Sequence, residues 1–461
     1  MKSDKKYKST LSSKKVIDGT TQNEMLSSGI ESNLPEHFLT RMKQILPDEY
    51  DQFVDSLGKP KQSAIYVNKK IDVENFEQIV DFDIEPIKYE PKGFYVNQKL
   101  GKHPLHHAGA FYVQEPSAMF TVNAHEFKGN EMVLDMCSAP GGKTIQIANR
   151  LPNGVLVSNE INRERCSILF SNVERMGLEN VVITNDSAKN VANAYADSFD
   201  VVLVDAPCSG EGMFRRGEQV IKEWNKNLPQ ICAERQQDIL ENANIALKQN
   251  GFLIYSTCTY SLEENEDTIN KFIAKHNYKL VNIDENLPRG INMPEAVRLY
   301  PHKVRGEGQF VAVLQKLEEN TNIPEPNMRL KENANAKNFV ANICENFDCC
   351  EYGDFYYAVK DRSMIKKNVN YYSIGVRVVT NKDKRFEPCH NLFTAFGDRF
   401  KLKLDYDFHN PVVAKYLKGE TFDVDLSDGY GAFLIDGCAV GGFKISAGKF
   451  KNYYPKGLRN Q

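Results

Sequence analysis

No stretch of this 461-residue chain holds the roughly 20 consecutive apolar residues that a membrane-spanning helix needs. The N-terminus, MKSDKKYKSTLSSKK, has no apolar segment that could serve as a signal peptide. Both absences point to the cytoplasm and away from a membrane partner. The ten cysteines (137, 166, 208, 232, 258, 344, 349, 350, 389 and 438) include no CxxC pair, so the sequence offers no zinc site, and no metal is expected. In a long chain without a leader they read as reduced thiols rather than a disulfide framework. Positive charge is not in excess either: 58 Lys and Arg stand against 61 Asp and Glu, a net charge of −3. That excludes a uniformly basic nucleic-acid binder and leaves only local patches for such a partner. Internal repeats are missing, and so is the GxGxxG of a dinucleotide fold, which weakens a dehydrogenase reading.

What is present fits about three domains at roughly 150 residues each, with 41% hydrophobic and 26% charged residues. Residues 1–32, rich in Lys, Ser, Thr and Asn, read as a disordered tail. Residues 33–100 form a small α+β unit, with Phe38, Met42, Ile45, Leu46, Phe53 and Leu57 at helical spacing before a strand, SAIYVNK. Across 101–317 apolar strands alternate with helices: MVLDM, GVLVSNE, NVVITND, FDVVLVDAP, GFLIYSTCT and FVAVLQKL. That alternation predicts an α/β fold with a Rossmann-like, doubly wound parallel sheet covered on both faces. After the linker LEENTNIPEPNMRLKENAN come two smaller units, an accessory domain at 325–390 and a glycine-rich β unit at 391–461.

In an open parallel sheet the ligand lies outside the carboxyl ends of the strands. Those ends are polar here. Asp135 runs into Cys137, Ser138, Ala139, Pro140, Gly141, Gly142 and Lys143, small residues that let a ligand approach a helix N-terminus. The next three strands end at Glu160, Asp186 and Asp205. A carboxylate after the second strand suits the hydroxyls of a ribose, and one after the third suits the exocyclic amine of adenine. Each acid alone could simply cap a helix; four in register make capping an insufficient account.

The segments VLDMCSAPGGKT, VDAPCSGEGMFRR, YSTCTYSLEENE and PHKVRGEGQFVAVL resemble, in order, the signatures of the Nol/Nop/Sun family of RNA cytosine-C5 methyltransferases. The C-terminal GGFKISAGKFKNYYPKGLRNQ further resembles the bacterial branch that modifies small-subunit ribosomal RNA and ends in a PUA-like domain. The resemblance implies a class I fold that binds S-adenosylmethionine through Cys137–Lys143, Glu160, Asp186 and Asp205, and acts on small-subunit ribosomal RNA, naked or assembled, as a monomer. Carbon 5 of cytosine is too weak a nucleophile to take a methyl group directly, so a thiolate must first add at carbon 6. Chemistry alone leaves open which cysteine attacks, because Pro207–Cys208 also resembles the Pro-Cys nucleophile of DNA cytosine-C5 methyltransferases. In the RNA family the Thr-Cys after the fifth strand attacks, which implies Cys258 as nucleophile and Cys208 as the release residue. Asp205 and Lys143 would hold the polar face of the base. Transfer RNA as substrate, or a catalytically silent ribosomal RNA-binding factor, stay as alternatives.

Cys137 is expected to give backbone contacts, and the remaining cysteines to be inert. Ser261 to Glu264 reads as a capping box. For RNA contact the candidates are Arg215, Arg216, His302, Lys303 and Arg305 around the cleft, and Lys444, Lys449, Lys451, Tyr453 and Lys456 near the C-terminus, where Phe443, Phe450 and Tyr454 also suggest stacking. Residues 360–390 carry a local charge of +5, which a solvated face would equally explain.

Overall fold

A computed structural model describes residues 33–283, 286–319, 322–345, 347–382 and 385–459. The expected disordered tail at 1–32 lies outside them. Two amphipathic helices, α1 (Glu36–Ile45) and α2 (Tyr50–Leu57), lead into an antiparallel sheet of β1 (Ser63–Val67), β2 (Ile84–Ile87), β3 (Glu90–Val96) and β4 (Phe111–Gln114), in the order β2-β3-β1-β4. Because β4 pairs along β1, with Ile65 opposite Val113, the N-terminal unit does not stop at residue 100 but runs on to about residue 114. Helix α3 (Pro116–Asn123) follows, its first turn capped by Glu115.

The central sheet explains where the site lies. Its parallel middle comprises β5 (Met132–Asp135), β6 (Val155–Asn159), β7 (Val181–Thr184), β8 (Phe199–Asp205) and β9 (Leu247–Thr257), in the order β7-β6-β5-β8-β9. These strands are apolar almost throughout, because helices cover both faces: α4 (Gly142–Arg150), α5 (Arg163–Met176), α6 (Leu228–Ala246) and α7 (Glu266–Lys275). Beyond β9 the sheet continues with β10 (Tyr278–Val281), β11 (Arg289–Gly290), β12 (Met293–Leu299) and β13 (Gln309–Lys316), all antiparallel to their partners. The sheet is thus mixed at its edge, and FVAVLQKL runs against its neighbour because no crossover helix precedes it. The chain order reverses between β5 and β8, the point at which such sheets open a crevice.

The accessory strands are β14 (Lys331–Glu332), β15 (Cys350–Tyr352), β16 (Phe355–Ala358), β17 (Tyr371–Ser373), β18 (Val376–Lys382) and β19 (Arg385–Pro388). Five form a separate sheet. The sixth, β17, pairs with β7 and closes the far edge of the catalytic sheet, with Tyr371 opposite Thr184. The last sheet contains β20 (Lys403–Tyr406), β21 (Gly429–Ile435), β22 (Cys438–Ser446) and β23 (Lys449–Asn452). The expected division at residue 390 is not clean. Val376, Val378, Leu392, Phe396, Ala432 and Leu434 share one hydrophobic core, so the two C-terminal units bury their apolar faces against each other. Among the described residues no helix is long and apolar enough to cross a membrane, and no cluster of His, Cys, Asp or Glu is arranged to hold a metal ion.

Candidate active site

At the carboxyl ends of β5, β6, β8 and β9 lies a cavity of about 730 Å³, within the range of small-ligand sites. Cys137, Ala139, Pro140, Lys143, Glu160, Asp205, Cys208 and Cys258 all line it. The glycine loop and both motif cysteines therefore face one space. A smaller recess of about 240 Å³ adjoins it, lined by Tyr112 and Gln114 of β4 together with Asp135, Ser138, Gly142 and Lys143.

The loop after β5 is held from several directions. Ser138 donates through its backbone to the Asn159 carbonyl (2.9 Å) and through its hydroxyl to the Asp135 carbonyl (2.7 Å). Arg165 and Asn172 of α5 fix the carbonyls of Ala139 and Pro140 at 2.7 and 2.9 Å. Gly141 precedes α4 at φ 115°, a conformation open to glycine, and has no side chain to occupy the helix N-terminus. The Asp135 carboxylate is fully buried; Oδ2 accepts from Thr144 (2.7 Å), whereas Oδ1 has no partner. Burial raises its pKa to about 7. A buried acceptor without a donor, in a recess beside a helix N-terminus, fits a ligand that brings a hydrogen-bond donor or a cationic group.

Glu160 lines the cavity, accepting from the Asn162 amide (2.9 Å) and pairing with Arg165 (3.3 Å). Asp186 departs from its expected place. It is not among the lining residues; Oδ1 accepts from the Ser187 amide (2.8 Å), and Oδ2 accepts from Asn190 (2.7 Å) and the Asn370 amide (3.0 Å). The accessory segment that adds β17 also supplies Asn370, and this occupies the carboxylate expected to meet adenine. Ala188, two residues on and at the start of the following helix, reaches the cavity instead.

Asp205 at the end of β8 is oriented by three donors: Lys143 (2.8 Å), Ser256 (2.7 Å) and Gln309 (3.3 Å). Three residues on, Cys208 Sγ lies 3.1 Å from Cys258 Sγ, too far for the roughly 2.0 Å of a disulfide. The neighbouring Cys258 sulfur and burial hold the Cys208 thiol well above its ordinary pKa, so Cys208 keeps its proton. Cys137 is likewise kept protonated by burial and by the carboxylates of Asp135, Asp205 and Glu160.

Several residues of the site were not legible as such. Glu115 lines the cavity and accepts from the Ala118 (2.8 Å) and Glu307 (2.7 Å) amides, while burial raises its pKa. Glu307 pairs with Arg216 (2.7 Å), which places Arg216 in the cavity wall. Glu264 differs from its capping-box reading. Its amide does donate to the Ser261 hydroxyl (3.3 Å), but its carboxylate turns inward to Ser209, and α7 begins two residues later.

Arg215, His302, Lys303 and Arg305 line a separate groove of about 440 Å³ between α2 and the loop after β12. Arg215 spans it, donating to the carbonyls of Ser56 (3.2 Å) and Gly306 (2.6 Å). His302 is a correction: its side chain is only 3% exposed, packed on Phe53 and bonded to Glu49 (3.1 Å), so it braces α2 rather than offering itself to solvent. Lys303 pairs with the same Glu49, and Arg305 with Glu85 while lying 3.9 Å from the Tyr95 ring. At the C-terminus Lys449, Lys451 and Lys456 are exposed, and Lys444 and Tyr453 half-buried. Phe443 and Phe450 point the other way, into the core, as strand alternation directs, and Tyr454, just past β23, is buried too, which excludes all three from stacking on RNA.

Three family models match the chain: 16S rRNA methyltransferase RsmB/F over residues 122–315, the N-terminal domain of 16S rRNA methyltransferase RsmF over 34–116, and the methyltransferase RsmF PUA domain over 403–460. Ribosomal RNA small subunit methyltransferase F of Aliivibrio fischeri is 35% identical over 318 residues, covering 64% of this chain and 67% of that protein. Its counterpart in Vibrio cholerae is 36% identical over 320 residues, 65% and 67% of the two chains. Among solved structures, a methyltransferase homolog protein from Pyrococcus horikoshii superposes with a TM-score of 0.58 at 26% identity, covering 64% of this chain and 99% of that one. NSun6 from the same organism, solved with SFG, gives 0.58 at 22% identity over 62% and 99%, a likeness of fold.

Proposed function

Since the chain belongs to the ribosomal RNA small subunit methyltransferase F family, we propose that it methylates carbon 5 of a cytosine in 16S ribosomal RNA through a covalent adduct on Cys258. The observation that carries this reading is the pair of sulfurs 3.1 Å apart in the cavity that also contains the glycine loop and the Lys143–Asp205 pair.

S-adenosylmethionine supplies the methyl group when bound, and Cys137–Lys143, Glu160 and the unpartnered oxygen of Asp135 are the residues that would hold it. The Cys258 thiolate adds to carbon 6, forming a C–S bond and making carbon 5 an enamine carbon able to attack the methyl group. Asp205, with three donors already oriented on it, has acceptor capacity left for the base's exocyclic amine as charge develops. Lys143 neutralises that carboxylate on its other side. After transfer a base removes the carbon 5 proton, the double bond reforms, and the C–S electron pair returns to Cys258. The Cys208 S–H, kept protonated by its surroundings, donates a hydrogen bond to that departing thiolate. The groove lined by Arg215, Lys303 and Arg305 and the exposed Lys449, Lys451 and Lys456 are the surfaces we assign to RNA phosphates. The target base must leave its stack to reach the thiols, so a loop cytosine is the expected substrate.

The test supplies methyl-labelled S-adenosylmethionine with assembled small subunits, naked 16S RNA or bulk transfer RNA, all lacking the modification, and maps label by bisulfite sequencing. Label at a cytosine of 16S RNA is expected. Label only in transfer RNA overturns the substrate, and no label in any arm overturns the activity. On the same substrates Cys208→Ala is expected to accumulate a protein–RNA adduct stable to denaturation and Cys258→Ala to form none; an adduct that survives loss of Cys258 reverses the assignment.

A further inference from the structure

Behind the two thiols lies a polar network that the mechanism above does not use. Ser209, next to Cys208, bonds through its hydroxyl to that of Thr259, next to Cys258, at 2.9 Å. The same Ser209 donates to the Glu264 carboxylate twice, from its amide (2.9 Å) and from its hydroxyl. Gln236 of α6 donates both to Glu264 (3.0 Å) and to the Pro207 carbonyl (3.1 Å). All four side chains are buried, and none lines the cavity. A buried carboxylate here has a cost that an apolar residue would not, and each of its bonds goes to a residue flanking Cys208 or to the helix that holds it.

The two cysteines do not depend on this network equally. Cys258 directly follows β9, which is paired on both sides, and its carbonyl is held by the Gly212 amide (2.9 Å). Cys208 sits in a loop that leaves β8 at Asp205 and turns at Gly210 (φ 71°), with Pro207 and Ser209 fixed by Gln236 and Glu264. Releasing the network frees Cys208 and leaves Cys258 in place.

We propose that Ser209, Thr259 and Glu264 are positioning residues that set the spacing of the two thiols and so govern product release rather than methyl transfer. This rests on the reading in which Cys258 attacks and Cys208 assists departure. It also gives Glu264 a second, electrostatic effect: its negative charge lies close enough to help keep the Cys208 thiol protonated.

The experiment uses the full chain with 16S RNA and compares Ser209→Ala, Ser209→Thr, Thr259→Val and Glu264→Gln with Cys208→Ala. Ser209→Ala is expected to keep single-turnover methyl transfer within about threefold of the parent while the trapped adduct rises about tenfold, towards the Cys208→Ala level. Ser209→Thr, which retains the hydroxyl, restores release. Glu264→Gln preserves a hydrogen-bonding side chain but removes the charge, and shifts alkylation of Cys208, read by peptide mass spectrometry, to lower pH. Should Ser209→Ala fail to fold, as judged by its melting curve, Thr259→Val carries the same comparison. Parallel loss of transfer and release, or release unchanged in both variants, overturns the proposal and leaves the network purely structural. Absence of adduct in Cys208→Ala itself overturns the underlying reading, and the positioning role with it.

Discussion

Glu264 binds its proton near pH 7 in the folded chain, because burial disfavours the carboxylate whose ordinary pKa is 4.5. Between those values the folded state holds a proton that the unfolded chain has released, so stability is greatest at the acidic end and falls as pH rises towards 7. The difference amounts to about 3 kcal/mol at full effect. Glu264→Gln is expected to flatten that slope, measured by urea unfolding at pH 5 and pH 8; an unchanged slope would mean that Glu264 titrates normally. The same residue marks the limit of what its sequence context reveals. Cys208 and Cys258 are legible because a thiol at a strand end inside a long motif has few structural excuses. Ser261 to Glu264 matches a capping box on local spacing alone, and only the fold brings Ser209, 55 residues away, to its carboxylate.

Helices α1 and α2 act on the site through one loop. Phe38 packs edge-on to Phe214, and Phe53 edge-on to Tyr260, both at 5.0 Å, while Arg41 pairs with the buried Glu211. Glu211 also accepts from Trp224 (3.1 Å) and the Tyr260 amide (3.2 Å). The segment it anchors carries Gly212, Met213 and Arg216 into the cavity wall. Arg41→Ala is therefore expected to cost about 3 kcal/mol, since it leaves a buried carboxylate without its cation. It should also slow methylation by loosening that wall, checked by thermal melting alongside single-turnover rates; a variant as stable and active as its parent refutes the brace. The apolar periodicity of α1 and α2 and the continuous apolar runs of β5 to β9 were readable, because burial on one stripe or on both faces leaves those patterns. Strands β2 and β3 were not. DIEPIKYEPKGFYV mixes Pro, Gly and charge with its apolar residues, and only pairing with β1 organises it into a sheet.

At the scale of the whole molecule the units share hydrophobic cores and are tied further by polar contacts between them. The Lys70 ammonium donates to the carbonyls of Ala108 (3.4 Å), Arg175 (3.4 Å) and Ala439 (3.3 Å), one from each of the N-terminal, catalytic and C-terminal parts. Burial lowers its pKa to about 8. His107 reaches Tyr454 at 3.0 Å, and Arg399 pairs with Glu179 at 2.8 Å across the same boundary. Because burial costs the ammonium more than these three long bonds return, stability is expected to rise as pH climbs from about 8 towards 10.5, and Lys70→Met is expected to remove that rise, with faster hydrogen exchange in β22 than in β5. Uniform exchange across both would refute a junction role. Composition and linker residues suggested separate units after 325, but no sequence pattern discloses that a three-residue strand, β17, leaves the accessory sheet to pair with β7.

That strand bears on how the protein can be divided. A fragment ending near Lys316 would keep every residue that faces the cavity, yet leave β7 with a row of unpaired amides and carbonyls and Asp186 without the Asn370 amide. Such a catalytic core should self-associate through its bare strand, while extension through Ser373 should restore a discrete species in sedimentation. The downstream unit is in this respect a completing part of the enzyme's architecture, and the two halves can only be exchanged between proteins as a matched pair.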